Sequence, residues 1–181
     1  MGAENYRYEF VAHEMFMPIF KQHQAALFAD HHAVDLLALH SDEENNRCAE
    51  LARQQTGAVR LCVVAYDGDD VIGWSFGDQK SGDCFHMRNS AVYPAYRRKG
   101  VYSKLLHMLM DKAVETGFQQ ITSRHHATNN PVLIAKMKAG FMISGMEISD
   151  KFGIMVGLVY YPSEKRVNLL RYRVGQRKTI D

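Results

Sequence analysis

The sequence predicts an α+β domain, mixed in its α and β content, and three observations carry that prediction. Short β-branched and aromatic runs broken by glycine turns recur between residues 59 and 92, the pattern of a strand meander. Two stretches with apolar residues three and four apart, 100–116 and 130–140, then alternate with shorter apolar runs, so helices alternate with strands in the second half. Composition agrees: 181 residues with 46% hydrophobic and 23% charged side chains suit one soluble domain able to bury a core without staples.

Residues 6 to 12 alternate weakly and predict a first strand. Glu14 to Ala29 is helical in pattern, and Pro18 must start or kink a helix there. Ser41-Asp42-Glu43-Glu44 fits a capping box, in which the Ser41 oxygen takes a free amide and Glu44 reaches back. The helix it opens closes at Gly57, a residue suited to the left-handed turn beyond a helix end. Val59 to Tyr66 is a strand ending at Asp67-Gly68, a strong hairpin signal. Val71 to Gly77 is its partner, and after a turn at Ser81-Gly82-Asp83 the third strand runs from Cys84 to Val92. From Gly100 to Thr116, Leu105, Leu109 and Ala113 form one row with Leu106, Met110 and Val114 beside it, a double-width face that should lie on a sheet. Gly117 ends that helix, and Gln119 to Arg124 is a strand. Asn130-Pro131 opens another helix, with Asn130 as the cap and Pro131 at the first helical position, and Gly140 closes it. Phe141 to Ile148, Ile154 to Tyr161 and Arg166 to Arg173 are expected as three strands, the last two joined by Pro162-Ser163-Glu164. The polar tail from Gly175 should fray.

A net charge of +2 is too mild to argue for nucleic acid as a partner. No apolar run approaches the ~20 residues of a membrane span, and no charged-then-apolar signal segment opens the chain. Cys48, Cys62 and Cys84 are odd in number, with no pair at metal spacing, and are expected as free thiols in a reducing cytoplasm. Five histidines fall before Asp42 (His13, His23, His31, His32 and His40) at spacings that supply no fixed constellation with carboxylates or thiolates, so no metal is expected. They are expected on the surface near a substrate entrance.

The stretch that organises the chain is Tyr93-Pro94-Ala95-Tyr96-Arg97-Arg98-Lys99-Gly100-Val101-Tyr102-Ser103. An apolar strand runs into it and an amphipathic helix runs out. The start of a helix offers unpaired N–H donors and the positive end of its dipole, which attract anions. Gly100 lets the backbone approach a ligand closely, and Arg97, Arg98 and Lys99 add charge that phosphates complement.

Arg97-x-x-Gly100-x-Tyr102 resembles the (Gln/Arg)-x-x-Gly-x-(Gly/Ala) signature of the GCN5-related N-acetyltransferases (GNAT), with Tyr102 in place of the last small residue. The preceding Ala-Val-x-Pro-x-Tyr-Arg-Arg-x-Gly wording and the order β-α-α-β-β-β-α-β-α-β-β carry the resemblance further, with a C-terminal strand added. It implies a central, mostly antiparallel twisted sheet flanked by helices. Within that sheet the strands on either side of the phosphate turn and its helix run parallel and splay apart. It also implies one domain over 1–181, with substrate-side elements in 1–58, an acetyl-CoA core in 59–140, C-terminal strands in 141–174 and a tail in 175–181.

Carried over residue by residue, the resemblance places the pantetheine arm of acetyl-CoA along Asn89 to Val92. An oxyanion donor falls at the N–H of Ala91 or Val92. The diphosphate falls on Arg97, Arg98, Lys99, Gly100, Val101, Tyr102 and Ser103. Asn129-x-x-Val132 resembles the family's Asn-x-x-Ala, so Asn129 or Asn130 is expected to touch the cofactor or to act as a cap. The tyrosine that often serves as general acid, four residues before the Gly-Phe pair Gly140-Phe141, is replaced by Lys136, expected as a solvated helix charge or a phosphate ligand. Tyr102 and Tyr160 are alternative acids.

An alkyl amine with a pKa of about 10.4 must lose a proton before it attacks a thioester. His125 and His126, at the end of the Gln119 to Arg124 strand, are the expected bases, with His86 and Glu147 behind them. The sequence therefore predicts an acetyl-CoA-dependent N-acetyltransferase acting on a small-molecule or peptide amine by direct attack. A catalytically silent CoA-binding regulatory or interaction module is the alternative. A homodimer joined through the extra strand is allowed for.

Overall fold

The computed structural model describes residues 5–28, 36–54 and 57–179, with Leu36 and Leu37 described in their backbone alone. His31 and His32 therefore lie outside the described residues. Twelve elements follow one another: β1 (Arg7–Val11), α1 (His13–Leu27), α2 (Asp42–Gln54), β2 (Arg60–Asp67), β3 (Asp70–Ser81), β4 (Cys84–Val92), α3 (Val101–Thr116), β5 (Gln120–His126), α4 (Asn130–Lys138), β6 (Met142–Ser149), β7 (Gly153–Tyr160) and α5 (Glu164–Arg173). The seven strands form one sheet in the order β1-β2-β3-β4-β5-β7-β6. Every pairing is antiparallel except that of β4 with β5.

Alternation along β2 divides the core. Val63 and Ala65 face α3, where they join Leu105, Leu106, Leu109, Met110 and Ala113, all buried. Cys62 and Val64 point the other way and meet Phe16 of α1 and Trp74, as a period of two dictates. The double apolar row read from the sequence of α3 is the row that the sheet covers. The capping box forms too: Glu44 accepts from the Ser41 amide at 2.9 Å, and the Glu44 amide donates to Ser41 Oγ at 3.3 Å.

Four expectations need correction. Arg166 to Arg173 is helix α5, not a strand. Ser163 stands at its N-cap position, Glu164 lies in the first turn and Arg171 and Arg173 in the last, the charge order a helix dipole favours. No strand position was open beside β7, because β5 and β6 already flank it. The cap of α4 is Asn129, one residue earlier than expected, so Pro131 falls at the second helical position. His125 and His126 are the last two residues of β5, paired with Val156 and Met155 of β7. The chain beyond α5 is bonded back, since Gln176 and Arg177 donate to the Arg171 carbonyl.

Candidate active site

The parallel pairing of β4 with β5 is short. It runs from Cys84↔Gln120 to Met87↔Ser123 and stops. Beyond that point β4 continues to Val92, paired with β3 on one edge only, while β5 turns its last residues to β7. A cleft of about 700 Å³ opens where the two strands part.

Backbone direction along this open edge follows from strand alternation. The Tyr93 amide donates to the Ile72 carbonyl of β3 at 2.9 Å, so Tyr93 and Ala91 face β3 and Val92 faces the gap. Of the two expected oxyanion donors, the Val92 N–H is the one on the open side. The Val92 carbonyl accepts from Arg97 Nε at 3.0 Å, which ties the first of the three cations to the strand end.

The turn between β4 and α3 takes two left-handed residues. Arg98 has φ of 61°, the one positive value among the described non-glycine residues, and Gly100 at the N-cap position has φ of 83°. Holding a side chain in that region costs roughly 1–2 kcal/mol, and such strain persists where the surroundings impose it. No side chain caps α3, so the amides of Val101, Tyr102 and Ser103 keep the unpaired donors of a helix start. A Cβ on Gly100 would meet nothing within 4 Å. Lys99 Nζ stands 5.5 Å over the Tyr96 ring.

Tyr102, which the resemblance puts at the diphosphate turn, also lines the cleft, and its hydroxyl is buried with no hydrogen-bond partner; burial pushes its pKa up. Asn129 also lines the cleft and makes no capping bond with its side chain, while exposed Asn130 stands outside. Opposite them α1 contributes Phe20, Gln24 and Phe28, and the turn after β6 contributes Lys151 and Phe152. These wall residues carry no local motif, so their part was not legible in the sequence.

The titratable side chains of the cleft are mostly basic. His86 Nδ1 lies 2.9 Å from Thr122 Oγ1 and His125 Nε2 lies 3.1 Å from Ser123 Oγ. Burial, helped by nearby cations, pushes both imidazoles down to about 3. They stay neutral at physiological pH and exchange hydrogen bonds more readily than protons. His126 meets Phe152 edge-on at 6.2 Å. Glu147 lies outside the cleft, on exposed β6, where it accepts from Arg124 at 2.6 Å. Tyr160 packs on Phe141 and does not line the cleft.

Lys136 overturns its expectation as a solvated charge. It is 1% exposed, with Nζ against Met87 Sδ at 2.7 Å and 4.4 Å over the Phe141 ring. Burial pushes its pKa down to about 7. The signal was present: Val132 and Lys136, four apart on α4, share one side of the helix with Ala139 just beyond its end.

The Acetyltransferase (GNAT) family model matches residues 21–141, more than half of the sequence. The chain belongs to the GNAT acetyltransferase family. Acetyl transfer in general is the activity this membership supports. Solved GNAT structures share the fold at low identity. YncA of Salmonella typhimurium, solved with its cofactor acetyl-CoA, is 17% identical over 88% of this chain and 95% of its own, with a TM-score of 0.64. The ribosomal-protein-S18-alanine N-acetyltransferase of Escherichia coli gives 0.62 with the same identity and coverages. An acetyltransferase of Bacillus subtilis in complex with CoA gives 0.57, at 17% identity over 88% of this chain and all of that one. No curated protein matches the sequence. In this GNAT chain the three cysteines stay outside the cleft, with Cys48 exposed and Cys62 and Cys84 buried. Among the described residues no three His, Cys, Asp or Glu side chains gather as metal ligands would.

Proposed function

We propose that this protein transfers an acetyl group from acetyl-CoA to a primary amine, by direct attack of the amine on the thioester. The observation that carries the reading is an uncapped start of α3 whose second residue, Tyr102, lines the cleft that opens where β4 leaves β5. In this reading Arg98, Lys99, Gly100 and the amides of Val101 to Ser103 hold the coenzyme diphosphate. Arg97 fixes the turn through Val92. The pantetheine arm pairs along the open edge of β4, and Asn129 reaches it from α4.

The acceptor then enters from the side lined by Phe20, Gln24, Phe28 and Phe152. The Val92 amide is the proposed donor to the oxyanion of the tetrahedral intermediate. Of the two histidines proposed as bases, His125 is held neutral by burial, which suits it to hydrogen bonding, and both line the cleft. A cysteine relay has no support, since no thiol reaches the cleft. The chain is read as a single catalytic domain, and three free thiols fit a reducing cytoplasm. The free edge of β6, with Ile143, Met146 and Ile148 exposed, is where a second copy would pair.

The test is release of free thiol from acetyl-CoA by the purified protein with a panel of primary amines, read with a thiol reagent. Amine-dependent release and an acetylated amine by mass spectrometry support the reading. Tight CoA binding with no release from any amine overturns it in favour of a silent CoA-binding module.

A further inference from the structure

Met87 and Ser123 are the last parallel pair of β4 and β5. The next residue on each strand is an arginine, Arg88 and Arg124, and both line the cleft. β3 skips Arg88, since Gly77 pairs with Met87 and Phe76 with Asn89. Arg88 is thus the extra residue of a bulge, a device that re-aims a side chain. Each arginine is tied to a carboxylate that does not line the cleft. Arg88 Nε donates to both oxygens of Asp78 at 2.8 and 3.0 Å, and Arg124 donates to Glu147 at 2.6 Å. These pairs are partly exposed and stabilise the fold little. Their effect is to hold each guanidinium in one orientation, with further N–H groups left to give.

The cleft around this fork carries charge of one sign. Arg88, Arg124, Lys136 and Lys151 line it, and among the described residues no Asp or Glu does. Lys151 Nζ lies 5.4 Å over the Phe152 ring. Burial, then the charges of Arg88 and Arg124, push the His86 imidazole down to about 3, so both guanidinium groups act on one residue of the cleft. Phe20 and Phe28 of α1, with Phe152, add aromatic lining. Such a site opposes an acceptor that brings further positive charge and favours one that brings an anion. A guanidinium offers the planar fork of N–H groups that a carboxylate accepts in parallel bonds.

We infer that the acceptor is a free hydrophobic α-amino acid, its carboxylate held by Arg88 and Arg124 and its side chain by Phe20, Phe28 and Phe152. The assignment rests on the acetyl-transfer reading above and narrows its primary amine to one class. In that reading the start of α3 takes the diphosphate, so the two arginines are left to the acceptor. The amine nitrogen and the carboxylate share the α-carbon. An anion held beside Asn89, where the coenzyme arm is proposed to run, therefore keeps the nitrogen next to that arm. The neutral amine bonds to the acetyl carbon, the C–S bond breaks with its electron pair on sulfur, and one proton passes overall from nitrogen to sulfur. The products are the N-acetyl amino acid and CoA thiol, with no further reactant.

Two measurements decide the matter. The first is thiol release from acetyl-CoA with acceptors matched except for the carboxylate: phenylalanine against phenethylamine, and leucine against isopentylamine. Phenylalaninamide stands in for a peptide N-terminus. kcat/KM should favour each amino acid over its decarboxylated partner. Arg88→Gln or Arg124→Gln should cut that ratio about tenfold or more, mainly through KM, as loss of a charge-assisted hydrogen bond does. Arg124→Lys, which keeps the charge without the fork, should recover part of it.

The second measurement is binding. Trp74 is the one tryptophan of the chain, and its Nε1 donates to Asn89 Oδ1 at 2.8 Å, so its fluorescence reports on the cleft. With CoA present, each amino acid should bind more tightly than its partner amine, and Arg124→Gln should narrow the difference. Equal kcat/KM within the pairs, or a ratio that neither arginine variant moves, would overturn the assignment. So would a preference for phenylalaninamide, or no saturable binding of either amino acid. If no acceptor releases thiol, amine acetylation falls instead, and the fluorescence titration alone decides whether the two arginines hold a carboxylate.

Discussion

The Tyr93 hydroxyl and His23 Nδ1 lie 2.6 Å apart, with their rings edge to face at 5.8 Å. This pair joins α1, the wall of the proposed acceptor side, to the residue that follows β4 on the way into α3. Tyr93→Phe keeps the ring and removes the bond, worth about 1 kcal/mol. KM for the amine should rise several-fold while CoA affinity measured by calorimetry stays the same. An equal loss in both would show that the pair supports the turn instead.

Gly100 has φ of 83° with open space around it, so Gly100→Ala is opposed by backbone strain alone, roughly 1–2 kcal/mol. The strain is carried by the folded chain with or without CoA, so urea denaturation should show this loss while CoA affinity changes little. Gly100→Pro, whose ring fixes φ near −65°, should abolish CoA binding while leaving the far-ultraviolet circular dichroism spectrum nearly unchanged. Retained affinity in the proline variant would remove the diphosphate from this turn.

A Cβ on Gly73 would lie 2.7 Å from the Ala91 carbonyl oxygen. That contact is with backbone and cannot rotate away. Gly73→Ala should therefore cost about 1–3 kcal/mol and displace the end of β4, where Val92 presents its amide to the gap. Urea denaturation should show the first effect and weaker CoA binding the second.

Stability should depend on pH through three cleft residues. His86 and His125 titrate at about 3 in the folded protein, against an ordinary value near 6.5 in the unfolded chain. The unfolded chain takes up protons first, so their contribution is complete above pH 6.5 and is lost as pH falls toward 3. Each contributes a slope of order 1 kcal/mol per pH unit in that window. Lys136, at about 7 when folded and near 10.4 when unfolded, acts in the same sense at higher pH, with stability rising from pH 7 to 10. Urea midpoints across pH 4–10 should show both slopes; His86→Gln should flatten the acid one and Lys136→Met the alkaline one.

The strand meander, α3 and the turn between β4 and α3 were legible because local chemistry and tertiary packing agree there. Asp67-Gly68 turns the chain where a hairpin turn is needed, and the apolar row of α3 is the row that the sheet buries. Arg166 to Arg173 misled because alternation over a few residues also fits a short helix, and only the occupied flanks of β7 decide between them. Lys136 was misjudged by residue type: a lysine is ordinarily solvated, and nothing local says that the wall opposite it is a sulfur and a ring. The cleft walls from α1 and the turn after β6 meet across long sequence separations, which no motif records.

Because β4 and β5 share only the four pairs from Cys84 to Met87, the sheet carries an interior edge, and in the proposed binding mode that edge would read main-chain-like amides without regard to what hangs from them. A donor with any acyl head would thread the same slot equally well. Discrimination among acyl lengths would then fall to side chains such as Met87, Tyr102 and Lys136, which line the cleft together. Donor affinity and acyl preference should accordingly be separable by mutation, the first adjusted at the Gly100 turn and the second at these three residues.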